Sequence, residues 1–232
     1  MHKIKMPSTD DSSQFLQEHN CAPPLAPEKD TSEEGAGKSS STEPSQTDDE
    51  GSVDENGVTT LMKAAKRNDV EAVKRYIPYQ ARMVAKLVEV KGIEIHEGTA
   101  LMVAAVLGHT EVVRLLMKYE RGMKSSNEYT ALMWGVANDH IEVARLLLKT
   151  EGGMHKGKSF TALVIATSFG YLECVRLLLE NKKEKDIGGE PALRMAGIRG
   201  CSEIASLLER EGVRVIDPLL QALPRKPTSG LA

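Results

Sequence analysis

The feature that most limits what this chain can fold into is a pattern of Thr, small residues and paired leucines that returns about every 31 residues. Thr59, Thr99, Thr130, Thr161 and Pro191 stand in register at spacings of 40, 31, 31 and 30. One copy reads Thr99-Ala100-Leu101-Met102-Val103-Ala104-Ala105, then Gly108-His109, then Glu111-Val112-Val113-Arg114-Leu115-Leu116. The next runs Thr130-Ala131-Leu132-Met133, Asp139-His140 and Glu142 to Leu148, and the one after runs Thr161-Ala162-Leu163, Gly170-Tyr171 and Glu173 to Leu179. The outer two are weaker copies, with Thr60-Leu61-Met62 and Ala64-Ala65 in the first and Ala192-Leu193 and Ala196-Gly197 in the last.

Each copy predicts two short helices. The Thr hydroxyl can accept a free backbone N–H at the start of the first helix. Small Ala104 and Ala105 allow close helix approach, and the Gly or Asp before His109 and His140 tolerates the left-handed residue that ends it. Val and Leu then line one face of the second helix. Neither helix is long enough to persist alone in water, so stability must come from stacking on neighbours. The nine extra residues before Thr99 alternate as Val88, Val90, Ile93 and Ile95 about Lys91-Gly92, which predicts a β-hairpin and hence one elongated finger.

Over residues 56–212 this pattern resembles the ankyrin repeat. The resemblance implies an all-α solenoid of five helix-turn-helix units with short β-turn fingers, near 56–98, 99–129, 130–160, 161–190 and 191–212. The family's usual Thr-Pro-Leu-His stands here as Thr-Ala-Leu-Met, and the unit is two residues shorter than the common repeat of about 33. The Thr-Ala-Leu-Met and Glu151-Gly152-Gly153-Met154 variants look like those of large ankyrin-rich families in some protists. Lys63, Lys66 and Arg67 in the first unit and Arg194, Arg199 and Arg210 in the last are expected to make polar end caps. Residues 213–232 are expected to form a C-terminal tail with a short capping helix.

Residues 1–55 read differently. They carry 4 basic and 13 acidic residues out of totals of 30 and 33, so a segment at −9 precedes a body at +6. They are rich in Ser, Thr, Glu, Asp and Pro and poor in apolar residues, which predicts a disordered acidic tail. Hydroxyls ahead of carboxylates at Ser32, Thr47 and Ser52 suit acidophilic kinases, and added phosphate would strengthen attraction to the basic body. Three cysteines (Cys21, Cys174, Cys201) without a CxxC pair predict no disulfide framework. With no apolar leader and no run of 18 apolar residues, the expectation is a cytoplasmic or nuclear protein that does not enter a membrane.

Signals of chemistry are few. Gly152 to Ser159 matches GxxxxGK[ST], the phosphate-cradling loop, but such a loop needs a buried strand before it and a helix opening behind it. Here the second helix of a unit precedes it, so a glycine-ended helix followed by a polar turn is the simpler reading. His109 and His140 sit in the repeat's turn, which suits packing rather than catalysis. Cys174 and Cys201 occupy positions filled elsewhere by Val112 and His109. No metal-ligand spacing occurs, and neither a catalytic residue nor a cofactor is expected. Nucleic-acid binding would need a stripe of positive charge, which a body at +6 with a tail at −9 does not supply.

The ankyrin resemblance places partner contacts on the concave face, on the fingers and on positions seven and eight after each register mark. Those positions hold Lys66 and Arg67, Val106 and Leu107, Ala137 and Asn138, Ser168 and Phe169, and Ile198 and Arg199; the fingers add Tyr129 and Phe160. An apolar stripe of this kind marks an interface with a partner protein, or else is buried between neighbouring units. Trp134 lies one row away with Val103, Ile165 and Met195, which predicts core. The expected function is a monomeric, non-catalytic scaffold that binds one polypeptide. A P-loop-like nucleotide-binding protein and a regulatory subunit of a nucleic-acid-associated complex are the alternatives.

Overall fold

The computed structural model describes residues 53–157 and 160–215. The acidic tail over 1–52, Lys158 and Ser159 of the glycine-rich loop, and the segment 216–232 lie outside the described residues. The structure begins with an antiparallel bridge between Val53 and Thr59, closed by Asp54, whose Oδ1 accepts from the N–H groups of Asn56 and Val58.

Five helix pairs follow, with a hairpin after the first. They are α1 (Thr60–Arg67) and α2 (Val70–Gln80), the strands β1 (Ala85–Val90) and β2 (Ile93–Gly98), α3 (Ala100–Leu107) and α4 (Thr110–Glu120), and α5 (Ala131–Ala137) and α6 (Ile141–Glu151). The stack is completed by α7 (Ala162–Phe169) and α8 (Leu172–Leu179), and by α9 (Lys182–Arg199) and α10 (Ser202–Arg210). Inner helices α1, α3, α5, α7 and α9 pack one on the next, and the outer helices form a second layer behind them. The core lies between these layers and is mostly aliphatic, running from Leu61 and Val73 through Leu101, Leu116, Leu132 and Leu147 to Leu178 and Leu208.

The register residues do what their chemistry predicts. The hydroxyls of Thr59, Thr99 and Thr130 accept from the N–H three residues on, at 3.1, 3.4 and 3.4 Å. Asn68, Gly108, Gly170 and Gly200 end their inner helices in the left-handed region. In the third unit Asp139 takes that conformation instead, with φ +57°. The hairpin is antiparallel with Val88 opposite Ile95 and Val90 opposite Ile93. Both turn residues, Lys91 and Gly92, have positive φ, the primed two-residue turn whose twist matches that of the strands.

The last unit departs from the others. Before Pro191 the sequence predicts a turn, whereas α9 runs without a break from Lys182 through Pro191 to Arg199. Asn181 supplies the reason by capping the longer helix, its Oδ1 accepting from the N–H groups of Lys183 and Glu184 at 3.0 and 3.2 Å. Gly188 lets this helix pass α7 closely, since a side chain there would collide with the Thr161 hydroxyl.

Candidate protein-binding face

Neighbouring fingers are joined edge to edge. The Lys86 N–H donates to the Asn56 carbonyl at 2.8 Å, the Ser126 N–H to the His96 carbonyl at 3.0 Å, and the Gly157 N–H to Glu128 Oε2 at 3.0 Å. The elongated finger then turns along the inner helices. Its base at Gly98 adjoins the N-terminus of α3, while Glu89, near its tip, accepts from Lys66 Nζ at 2.8 Å at the far end of α1. An inner helix of eight residues is about 12 Å long and a six-residue strand about 20 Å, so the hairpin spans that length. Val88, Val90, Ile93 and Ile95 are buried under it, and Lys86, Glu89, Glu94 and His96 face solvent. β1 packs on α3. The concave side of the first two units is therefore partly occupied by the chain itself.

The residues expected to contact a partner separate into three environments. Val106 is 2% exposed and Tyr129 4% exposed, so neither can touch a partner as the chain stands. Val106 is closed over by the third unit, whose His140 Nε2 donates to the Val106 carbonyl at 2.9 Å. Tyr129 packs on Trp134 at 5.2 Å and Phe160 at 6.2 Å between ring centroids, with Lys156 Nζ 5.6 Å above its ring. Burial pushes the Tyr129 hydroxyl up to about 12. Arg199 is buried too. Leu107, Asn138, Phe160 and Phe169 are half-buried, and Lys66 and Arg67 are exposed. Phe169 stacks on Tyr171 at 5.6 Å, and Asn138 Nδ2 donates to the Trp134 carbonyl at 2.8 Å. Ile198 is 62% exposed, at the C-terminal end of the stack. Trp134 is fully buried, as its row predicts.

Sequence reasoning missed a row of buried carboxylates. Glu120, Glu151 and Glu184 each use one oxygen on their own unit and one on the unit before. Glu120 accepts from Leu101 N at 2.7 Å and Arg82 N at 3.1 Å, Glu151 from Leu132 N at 2.8 Å and Gly122 N at 2.9 Å, and Glu184 from Leu163 N at 3.1 Å and Gly153 N at 2.9 Å. Gln80 takes the same place in the first unit, accepting from Leu61 N at 2.7 Å. These side chains satisfy N–H groups that a helix start and a tight loop leave open. Burial holds all three carboxyls above the usual carboxylate range, against the pull of the backbone donors. The readable signal was recurrence, an amide or acidic residue closing the second helix of the first three units, whereas Glu184 sits in the first turn of α9.

The turn histidines also tie units together. His109 Nδ1 donates to the Ala65 carbonyl at 2.8 Å, as His140 does to Val106. A carbonyl can only accept, so in each ring the bonded nitrogen carries the proton. With this two-layer stack, its turn residues and its edge-joined fingers, the sequence repeat has a physical counterpart in the first four units and, without a finger, in the fifth. A family model of ankyrin repeats in three copies matches residues 61–158, and a single ankyrin-repeat model matches residues 158–187, together over half of the chain. The chain belongs to the ankyrin-repeat family. Comparison with curated proteins gives no match.

Ankyrin repeats are general protein–protein interaction modules. Within this ankyrin stack the described part of the glycine-rich stretch belongs to a finger: Gly152 caps the end of α6, Gly153 has φ +80°, and Lys156 and Phe160 form an antiparallel bridge before α7 starts at Ala162. The helix before it and the bridge within it differ from the strand-to-helix turn that cradles phosphate. Cys174 donates to Asp139 Oδ1 at 3.3 Å, and burial pushes its thiol up to about 12, which disfavours the nucleophilic thiolate. Among the described residues no group of three or more His, Cys, Asp or Glu is placed to hold a metal ion, and no helix is long and apolar enough to cross a membrane.

Proposed function

We propose that this ankyrin-repeat protein is a monomeric, non-catalytic scaffold of the cytoplasm or nucleus that holds one polypeptide on its concave face, beside the folded-back hairpin. The observation that carries this reading is the row eight residues after each of the first four register marks. Arg67 is exposed, while Leu107, Asn138 and Phe169 are half-buried at the ends of successive inner helices. Half-open apolar side chains on a rigid scaffold supply binding energy at little ordering cost. Phe160 extends the row onto the finger side, and Lys66 and Arg67 add positive charge at the N-terminal end. Val106 and Tyr129 support this surface from beneath.

The test is affinity capture from cell extract with the full chain and with a Leu107→Asp, Phe169→Asp double variant, helical content being checked by circular dichroism. Proteins captured by the wild type and lost by an equally helical variant would support the concave face. An unchanged set of captured proteins would remove it from consideration. Titration with ATP and magnesium, read out against Lys158→Ala, tests the nucleotide alternative in the same preparation.

A further inference from the structure

The folded-back hairpin has two outer edges, and the chain closes them unequally. A two-residue turn at Lys91-Gly92 makes Val90 and Ile93 exchange backbone bonds with each other, and the alternation of the ladder then turns the N–H and C=O groups of Glu89, Glu94 and His96 outward. Two contacts agree with that parity: the Glu89 carbonyl accepts from Lys66 Nζ at 2.8 Å, and the His96 carbonyl from the Ser126 N–H at 3.0 Å. Lys66 thus crosses the β1 edge. On β2 the next finger takes only the His96 carbonyl, so this edge lies on the side of the third unit. Among the described residues nothing bonds the N–H or C=O of Glu94 or the N–H of His96, and both residues are exposed.

Beside this edge the charge is one-sided. Glu89 and Glu94 stand directly opposite each other on the solvent face, in a pair without mutual backbone bonds, where side chains of two strands come closest and like charges repel. Among the described residues no Lys or Arg pairs with either carboxylate, and His96 Nε2, 3.8 Å from Glu94 Oε2, balances it only when protonated. An open strand edge is a template for a further strand, and two facing carboxylates beside it favour a cation. We infer that β2 takes an extended segment of the partner polypeptide as a third strand, with a Lys or Arg on its solvent face against Glu89 and Glu94. This rests on the concave-face reading and adds the chemistry that the face accepts. Alternate side chains of the segment point the other way, to the side on which Ile93 and Ile95 are buried, and are expected to be apolar. Those two isoleucines already anchor β2, so little of the scaffold has to be ordered on binding.

NMR titration of the full chain with the peptide Lys-Val-Lys-Val-Lys-Val-Lys tests this. Saturable shifts are expected at the Glu94 and His96 amides, with their hydrogen exchange slowed about ten-fold at saturation. The same peptide with every amide N-methylated, and one with Glu in place of Lys, should each bind about ten-fold more weakly or worse. Glu94→Pro removes an outward N–H while sparing the ladder to β1, and should abolish binding. Glu94→Lys relieves the repulsion with Glu89, so it should raise the melting temperature yet weaken the peptide about ten-fold, which separates binding from folding. No saturable shift at Glu94 and His96, or equal binding of the N-methylated peptide, would overturn the inference. So would a concentration-dependent dimer that Glu94→Pro dissociates, since it would assign the edge to a second copy. In the capture experiment, an unchanged set with Leu107→Asp, Phe169→Asp removes the concave face and this inference with it, whereas loss there with Glu94→Pro unaffected refutes the edge alone.

Discussion

Glu151 accepts from the backbone N–H of Gly122 at 2.9 Å, and so ties the third unit to the loop that ends the second. Its other oxygen holds Leu132 N at the start of α5, which makes one buried carboxylate the partner of two backbone groups in different units. Glu151→Ala leaves both N–H groups without that acceptor and is expected to destabilise the domain by about 3 kcal/mol. Glu151→Gln, with one acceptor oxygen, should lose about half as much. Urea unfolding followed by circular dichroism gives both numbers, and an Ala variant within error of wild type would mean that water replaces the carboxylate.

The same row sets a pH dependence. Burial raises the carboxyls of Glu120, Glu151 and Glu184, whose ordinary value is 4.5. Above that pH the unfolded chain has released these protons while the folded chain still holds them. The folded state then binds more protons, and the unfolding free energy falls as pH rises. Stability from this source is fully present below 4.5 and lost as pH climbs through the raised values. Urea unfolding across about pH 4 to 7 should show a shallower fall for Glu151→Gln than for wild type. Equal slopes would assign the dependence elsewhere.

His140 works in the opposite sense. Burial lowers its imidazole from the ordinary 6.5, Lys91 on the hairpin tip adds to the lowering, and the bond to the Val106 carbonyl opposes it. Below 6.5 the unfolded chain takes up a proton that the folded ring refuses, so this contribution is present above 6.5 and lost as pH falls through the lowered value. His140→Gln keeps an N–H donor but does not titrate, and should flatten the stability profile just below 6.5. An NMR titration that found His140 at or above 6.5 in the folded protein would contradict this.

Gly108 has φ +73°, and a Cβ built on it would lie 2.7 Å from His140 Nδ1. Gly108→Val is therefore expected to cost about 3 kcal/mol or more, combining backbone strain with displacement of the imidazole. Gly200→Val, with φ +69° and open space around it, carries the backbone strain alone and should cost about 1 to 2 kcal/mol. Comparing the two melting temperatures separates the contributions.

Lys91 adopts φ +50° in the hairpin turn, where Asn is far better tolerated. Lys91→Asn should stabilise the protein by about 0.5 to 1 kcal/mol and also raise the titration midpoint of His140 by removing a nearby positive charge. A stabilised variant with an unmoved His140 would place the Lys91 ammonium away from the ring.

Much of this molecule was legible in the order of its residues. The period set the five helix pairs, because Thr, paired small residues, a left-handed Gly or Asn and an apolar outer helix each constrain only a few neighbouring dihedrals. The hairpin about Lys91-Gly92 was legible for the same reason, since alternation and a primed turn are local. Tertiary structure alone decided where that hairpin lies, because its contact with α1 joins Lys66 to Glu89 across 23 positions and neither residue signals the other. It also decided that Val106 and Tyr129 are buried while Leu107 and Phe169 stay half-open. Adjacent positions on a short helix differ by about 100° of rotation, and which one the next unit covers depends on how the units stack. The carboxylate row shows the division most plainly: the recurrence of Glu120 and Glu151 was there to read, but their task was not. A buried charge is tolerated only where backbone donors converge on it, and the donors for Glu151 arrive from 19 and 29 residues away.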